Sequence, residues 1–142
     1  MNMSPHIQLA FNGQCEAAFR FYEQCLNGKV TFMLTWGKSP MAADVPAHWQ
    51  GKIVHATLMI ADMPIMGCDV HPDRYEKPQG FEIDLPMKDP VAGARLFETL
   101  ARDGRIVMPL QETFWAHRYG VLIDRFGIPW SINCEKAFEP TP

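Results

Sequence analysis

Six polar side chains in this sequence fall in stretches that alternate apolar and polar residues: His6, Gln8, Glu82, Asp84, Ser131 and Asn133. A period of two puts alternate residues on one face of a β-strand, so these groups share a side opposite their apolar neighbours. Amides, a hydroxyl and carboxylates on one sheet face can orient a polar ligand, and they suit a wet surface better than a dry core. His55 lies mid-strand between Val54 and Ala56, where an imidazole is either a hydrogen-bonded core group or part of a pocket. Gln111, Phe114, Trp115 and His117 fall between two strands. The Phe–Trp pair serves either to plug a core or dimer interface, the role favoured for Phe114, or to stack on a flat ligand, a role equally open to Trp115. Cys15 stands near a helix start, where a thiol pKa can drop, but it also lies on that helix's apolar stripe. The stripe reading is the stronger one, because no His or Asp is arranged beside it.

The elements that must carry these residues follow from periodicity and punctuation. His6–Phe11 is a half-buried strand, and Asn12-Gly13 turns it into a helix from about Gln14. Cys15, Ala18, Phe19, Tyr22, Cys25 and Leu26 form that helix's apolar stripe, and Gly28 stops it. Strands follow over Lys29–Trp36, Ile53–Ile60 and Pro64–Val70. After a turn-rich stretch the same order returns. Gly80–Leu85 is a strand, and Asp89-Pro90 starts a helix over Val91–Arg102 with Asp at the N-cap and Pro at the first helical position. Leu96, Phe97, Leu100 and Ala101 form its stripe and Gly104 ends it. Arg105–Leu110, Tyr119–Asp124 and Pro129–Cys134 complete the pattern, and the tail from Glu135 reads as loose.

Strand, helix and three strands, twice over, is an internal repeat of roughly seventy residues. The expected fold class is α+β, a single domain over 1–142 made of two tandem βαβββ modules in a curved mixed sheet. The first half covers about 5–70, a linker about 71–79, and the second half about 80–134. Gly37–Gly51 is long for a loop in a compact domain; with Met41, His48 and Trp49 it is expected to be mobile and to border the ligand.

Bulk properties close off other classes. The net charge is −3 and no run of Lys and Arg exceeds two residues, so the chain offers no footprint for nucleic acid. No segment approaches the ~20 apolar residues of a membrane span, and Met1–His6 has no signal-peptide character. Cys15, Cys25, Cys68 and Cys134 form no C-x-x-C pair, which reads as reduced thiols in a cytoplasmic protein.

Several stretches resemble a known family: Phe11–Ala18 leading to Phe21-Tyr22, the strand Ile53-Val54-His55-Ala56, the run Gln111-Glu112-Thr113-Phe114-Trp115-Ala116, and Asp124-Arg125-Phe126-Gly127-Ile128-Pro129-Trp130. Together they are similar to the PhnB-like proteins of the glyoxalase/bleomycin resistance/dioxygenase group, the vicinal oxygen chelate superfamily. The resemblance implies paired βαβββ modules, a homodimer and a concave sheet surface around a small-molecule site. It raises the pocket reading of His55, which belongs to the family's I-x-H-A pattern. On this basis the expected ligand-binding residues are Gln8, His55, Glu82, Gln111, Trp115 and Asn133.

Metalloenzymes of the superfamily take one ligand from the first strand and one from the last strand of each half. The resemblance carries those positions onto His6, onto Gly80 with Glu82 one rung further, onto Ser131, and onto the segment Met66–Asp69, where only Asp69 could bind a cation. Only His6 matches cleanly, so the expectation is a binder without the usual metal. The alternative is a metal-dependent lyase, isomerase or dioxygenase holding a divalent metal through His6 and Glu82. The resemblance also brings the label 3-demethylubiquinone 3-methyltransferase; the junctions Asn12-Gly13 and Lys88-Asp89-Pro90 lack the glycine-rich loop an adenosyl methyl donor usually meets.

Overall fold

The computed structural model describes all residues, Met1–Pro142. The chain forms two compact units, Met1–Glu76 and Lys77–Pro142. Each is a βαβββ module, and together they give a glyoxalase-like fold. The first contains β1 (Ile7–Phe11), α1 (Cys15–Cys25), β2 (Lys29–Thr35), β3 (Ile53–Ile60) and β4 (Met63–Asp69). The second contains β5 (Ile83–Pro86), α2 (Pro90–Ala101), β6 (Arg105–Gln111), β7 (Ala116–Ile123) and β8 (Pro129–Glu135). No helix is long and apolar enough to cross a membrane.

Each module builds a four-stranded sheet of the same topology, β1-β4-β3-β2 and β5-β8-β7-β6. The first strand pairs parallel with the last, and the remaining pairs are antiparallel. One sheet face carries the helix. In the first unit Leu9, Phe11, Ile53, Ala56, Leu58 and Ile65 meet the buried α1 stripe of Cys15, Ala18, Phe19 and Tyr22. Phe11 and Phe19 meet edge to face at 6.0 Å. In the second unit Phe97 and Leu100 of α2 join Leu122, Trp130 and Ile132. The other face of each sheet is free of helix and carries the alternate residues.

The helix ends differ from the sequence expectation in an instructive way. Glycine was expected at each left-handed stop, but Asn27 (φ 51°) and Asp103 (φ 60°) occupy that conformation. Asn and Asp tolerate it because their short polar side chains bond locally. Gly28 and Gly104 follow, and they are needed for a different reason. A Cβ on Gly28 would lie 2.9 Å from the Met59 carbonyl oxygen, and one on Gly104 would collide with that of Ile123. The helix therefore returns beside a strand backbone that leaves no room for a side chain. At α2's start the expectation holds: the Asp89 carboxylate accepts from Val91 N–H at 2.9 Å, with Pro90 first in the helix.

Strand limits shift as well. β5 begins at Ile83 rather than Gly80, and β7 begins at Ala116, three residues before the expected start at Tyr119. The segment from Gly37 to Gly51 consists largely of three short 3-10 turns that are tied down. Gln50 Nε2 donates to the carbonyls of Ala42 and Val45 at 2.7 and 2.8 Å, Gly37 N–H donates to Gln50 O, and Trp49 is buried. These bonds anchor internally a segment that the sequence leads one to expect to be mobile.

Candidate functional site

In the first unit the face away from α1 carries Gln8 on β1, Met66 and Cys68 on β4, His55 and Thr57 on β3, and Phe32 on β2. Gln8 is opposite Met66, which is opposite Thr57, so Gln8 and His55 share a face but stand two strands and one rung apart. Gln8 Nε2 donates to Cys68 Sγ at 3.7 Å, and His55 packs on Phe32 with ring centroids 5.7 Å apart. Burial pushes the Cys68 thiol pKa up, with the Gln8 hydrogen bond pulling the other way, so this sulfur remains a neutral thiol near neutral pH. The two sequence-predicted residues are therefore separated by soft, weakly polar side chains.

The second unit is more concentrated. Across β8, β7 and β6, Asn133 is opposite Tyr119 and Tyr119 is opposite Gln111, a single row on the face away from α2. One rung along, Asp84 on β5 is opposite Ser131, which is opposite Val121. Ser131 Oγ donates to an Asp84 carboxylate oxygen at 2.7 Å. Trp115 packs against Tyr119 with ring centroids 5.1 Å apart and planes at 65°. It is held at both ends of its backbone: its N–H reaches Thr113 Oγ1 at 3.3 Å, and its carbonyl accepts from Lys136 N–H at 3.0 Å.

Tyr119 was not singled out from sequence, yet it sits at the centre of this row. Desolvation raises its pKa above the usual phenol value, and the nearby charges of Glu82 and Asp84 push it the same way, against a hydrogen bond with Ser131. The phenol is thus a neutral donor at physiological pH. A signal was available, since Tyr119 and Val121 alternate with Gly120 and Leu122 in one strand, but the expected strand starts at Tyr119, three residues after the true start at Ala116, and so makes Tyr119 a terminal position.

Phe114, read from sequence as a structural plug, is 65% exposed and touches Trp115 and Phe138 instead of filling the core. The tail is not wholly loose: Lys136 Nζ pairs with Glu112 at 2.9 Å, and Phe138 lies 5.0 Å from Phe114. Cys15 is fully buried, and burial drives its thiol pKa strongly upward, so it is a core side chain rather than a nucleophile. A separate cleft of about 440 Å³ opens at the start of α2, lined by Lys88, Pro90, Glu112, His117 and Arg118. It contains none of the residues expected to bind ligand.

The sequence model of the Glyoxalase/Bleomycin resistance protein/Dioxygenase superfamily matches residues 4–132. This chain belongs to that superfamily. Protein YjdN of Escherichia coli (strain K12) is 36% identical, over 99% of both chains. Protein PA1353 from Pseudomonas aeruginosa is 41% identical, with a TM-score of 0.82 over 93% of this chain and 98% of that one. The PhnB protein from Bacillus cereus, 22% identical, shares the fold with a TM-score of 0.77 over 92% and 98% of the two chains. At that identity the likeness to the Bacillus cereus protein speaks for the fold alone.

The superfamily implies a divalent metal, and the donors present do not fit one. His6 precedes β1, is exposed and has Ser4 Oγ 3.4 Å away. Asp69, the carboxylate considered for the first unit, is fully buried with both oxygens occupied. Oδ1 accepts from Cys15 N–H at 2.9 Å and Oδ2 from Ile53 N–H at 2.8 Å. Gly80 has no donor, and Ser131 gives its proton to Asp84. No group of three His, Cys, Asp or Glu side chains stands in a metal-holding arrangement within either unit. A divalent site needs three or more converging N or O ligands.

Proposed function

We propose that this chain is a small-molecule-binding protein of the superfamily whose ligand lies against the open sheet face of the second unit and is held without a catalytic metal. The observation that carries the reading is the row Gln111–Tyr119–Asn133 with Trp115 packed at its edge. An amide pair, a neutral phenol and an indole side by side are what orients and walls a flat, partly polar ligand. Gln8 and His55 supply a second, softer polar surface on the first unit, and Glu82 flanks the row.

The chain acts in the cytoplasm with its cysteines reduced, in keeping with four free thiols of which Cys15 and Cys134 are buried. It pairs with a second copy of itself; the outer strand β6, with Ile106, Val107 and Met108 between 37% and 51% exposed, is an apolar edge suited to that contact. Neither nucleic acid nor membrane is a partner.

Two measurements test the reading. Protein purified without chelator is analysed for Zn, Mn, Fe and Ni, with sub-stoichiometric metal expected. A metal bound one to one and lost in His6→Ala overturns the metal-free reading. A thermal-shift panel of neutral, cationic and anionic aromatic compounds should contain at least one that raises Tm, since a ligand that binds only the folded state stabilises it. That rise should vanish in Trp115→Ala and Gln111→Ala. A panel with no hits, or hits indifferent to both substitutions, removes the open face of the second unit as the binding surface.

A further inference from the structure

The polar groups of the second unit's open face are unbalanced. Asn133 is only 9% exposed, and its Nδ2 donates to a Glu135 carboxylate oxygen at 3.3 Å. That contact fixes the amide, because reversing it would set an oxygen against a carboxylate. Oδ1 is then directed away from Glu135, and it has no hydrogen-bond partner at all. A buried acceptor without a donor is uncommon and calls for a group that supplies one.

Its neighbours offer little. Ser131 Oγ has already given its proton to Asp84. Glu82 and Asp84 lie at exposed positions of the adjoining strand segment, close enough for both charges to act on the Tyr119 phenol. Neither takes part in an ion pair, unlike Glu23, Asp73 and Glu112. Arg105 on β6 stands opposite Ile123, at the sheet's far edge. The face therefore carries two carboxylates and an unpartnered amide oxygen, against the amide of Gln111 further along the row and a phenol already bonded to Ser131, beside a half-buried indole. An anionic guest would meet like charge there, whereas a cation is attracted by both carboxylates, can donate to the unpartnered amide oxygen and gains from the aromatic wall.

We infer that this face takes the positively charged end of an organic ligand, a protonated amine carried on a flat ring. Asp84 and Asn133 Oδ1, one rung apart on neighbouring strands, accept its N–H groups, Glu82 adds its charge two rungs along, and Trp115 lies against its ring. The inference rests on the proposed function and adds the charge and hydrogen-bonding class of the ligand.

Three probes with the same ring separate charge from shape: tryptamine, the neutral tryptophol and the anionic indole-3-propionate. Each is titrated calorimetrically into the full chain at pH 7, at low and at moderate salt. Tryptamine should bind at least ten-fold tighter than tryptophol, lose affinity as salt rises, and leave indole-3-propionate the weakest of the three. The double variant Glu82→Gln, Asp84→Asn keeps hydrogen-bonding groups at both positions and removes only charge. It should bind tryptophol as before and lose the ten-fold preference, with its Tm confirming that it folds. Equal affinity for tryptamine and tryptophol, tightest binding of the anion, or a preference that survives in the double variant overturns the inference while leaving a ligand face in place. Silence from all three probes also overturns it; only silence across the wider thermal-shift panel takes the proposed function with it.

Discussion

In the first unit the buried carboxylate, Asp69, closes contacts between distant parts of the chain: the first residue of α1, the first of β3, and through its backbone carbonyl the indole N–H of Trp36 at 3.2 Å. In the second unit the buried carboxylate, Asp124, works inside one turn. Its Oδ1 accepts from the N–H groups of Phe126 and Ile128 at 2.8 and 3.0 Å, and its Oδ2 accepts from Trp130 Nε1 at 2.8 Å. The same residue type, equally dry, is a long-range clamp in one module and a local one in the other. The open faces differ in parallel. The first unit's is soft, with Met66, Cys68 and Phe32 around Gln8 and His55; the second unit's is acidic and hydrogen-bonding. One topology, used twice, keeps its backbone plan and differs in the side chains of the open face.

The comparison breaks most sharply at the two aspartates. Asp124→Ala strands two backbone N–H groups and the indole of Trp130, which is fully buried. Bonds to a charged acceptor are worth ~1.5–3 kcal/mol each, with incomplete additivity, so a loss of about 4 kcal/mol is expected. Asp69→Ala strands two N–H groups and should cost about 3 kcal/mol. Urea unfolding of both variants checks the order. If Asp69→Ala proves the costlier, joining distant elements matters more than the number of bonds.

The paired glycines come next. Gly104→Ala drives a methyl into the Ile123 carbonyl and the Asp124 backbone, whereas Gly28→Ala brings one to 2.9 Å from Met59 O and 3.1 Å from Leu58 Cδ1, a side-chain atom that can move. Overpacking of this kind costs ~1–3 kcal/mol, so about 3 for Gly104→Ala and about 1 for Gly28→Ala are expected. Equal costs would show that β3 and β7 yield alike.

What could be read in the sequence follows the same divide between local and distant partners. The two βαβββ modules, the α1 stripe and the Asp89-Pro90 cap were legible because each is written within a few residues. So was the Asp124–Trp130 turn as a motif, since every partner of Asp124 named above lies within six positions. Asp69 was not, because its partners are 54 and 16 residues away; it read as a metal-ligand candidate where the fold uses it as a clamp. Gln111 and Asn133 could be named, but not their alignment in one row. That row is set by strand register, including irregularities in β6 around Met108, which the β6 residues alone do not reveal. Tyr119 went unnoticed because the expected strand begins at it rather than at Ala116.

Smaller effects sharpen the contrast between the faces. The folded-state pKa of Tyr119 is raised above the unfolded value of about 10. The stabilisation tied to the protonated phenol is therefore complete below about pH 10 and is lost as pH climbs through the folded value, because the unfolded chain releases its proton first. Tyr119→Phe should flatten part of that alkaline loss. Buried thiols at Cys15, Cys68 and Cys134 are also raised and lose stability in the same direction, so the difference between variant and parent is the measure. The late part of the absorbance rise near 295 nm that disappears in Tyr119→Phe should come earlier in Glu82→Gln. A phenol indifferent to that substitution would mean the two faces differ less in charge than their side chains suggest.

The smallest expected change lies at the turn where the modules part. β3 and β4 pair through Ile60 and Met63, leaving the two-residue turn Ala61-Asp62, and Ala61 is held at φ 52°. The corresponding β7–β8 connection is longer, with Gly127 at its positive φ (88°) and the Asp124 carboxylate holding it. The first unit thus forces an alanine into a conformation that costs ~1–2 kcal/mol for a residue with a Cβ. Ala61→Gly removes that strain and adds backbone freedom to the unfolded chain, which takes back roughly 0.5–1 kcal/mol. A net gain of about 0.5 kcal/mol in urea unfolding is expected, whereas Gly127→Ala in the second unit should lose about 1 kcal/mol or more. Opposite signs for these reciprocal substitutions would show that the tight turn stores strain which the clamped loop avoids; a loss at both sites would mean that Ala61 contributes packing that outweighs its backbone cost.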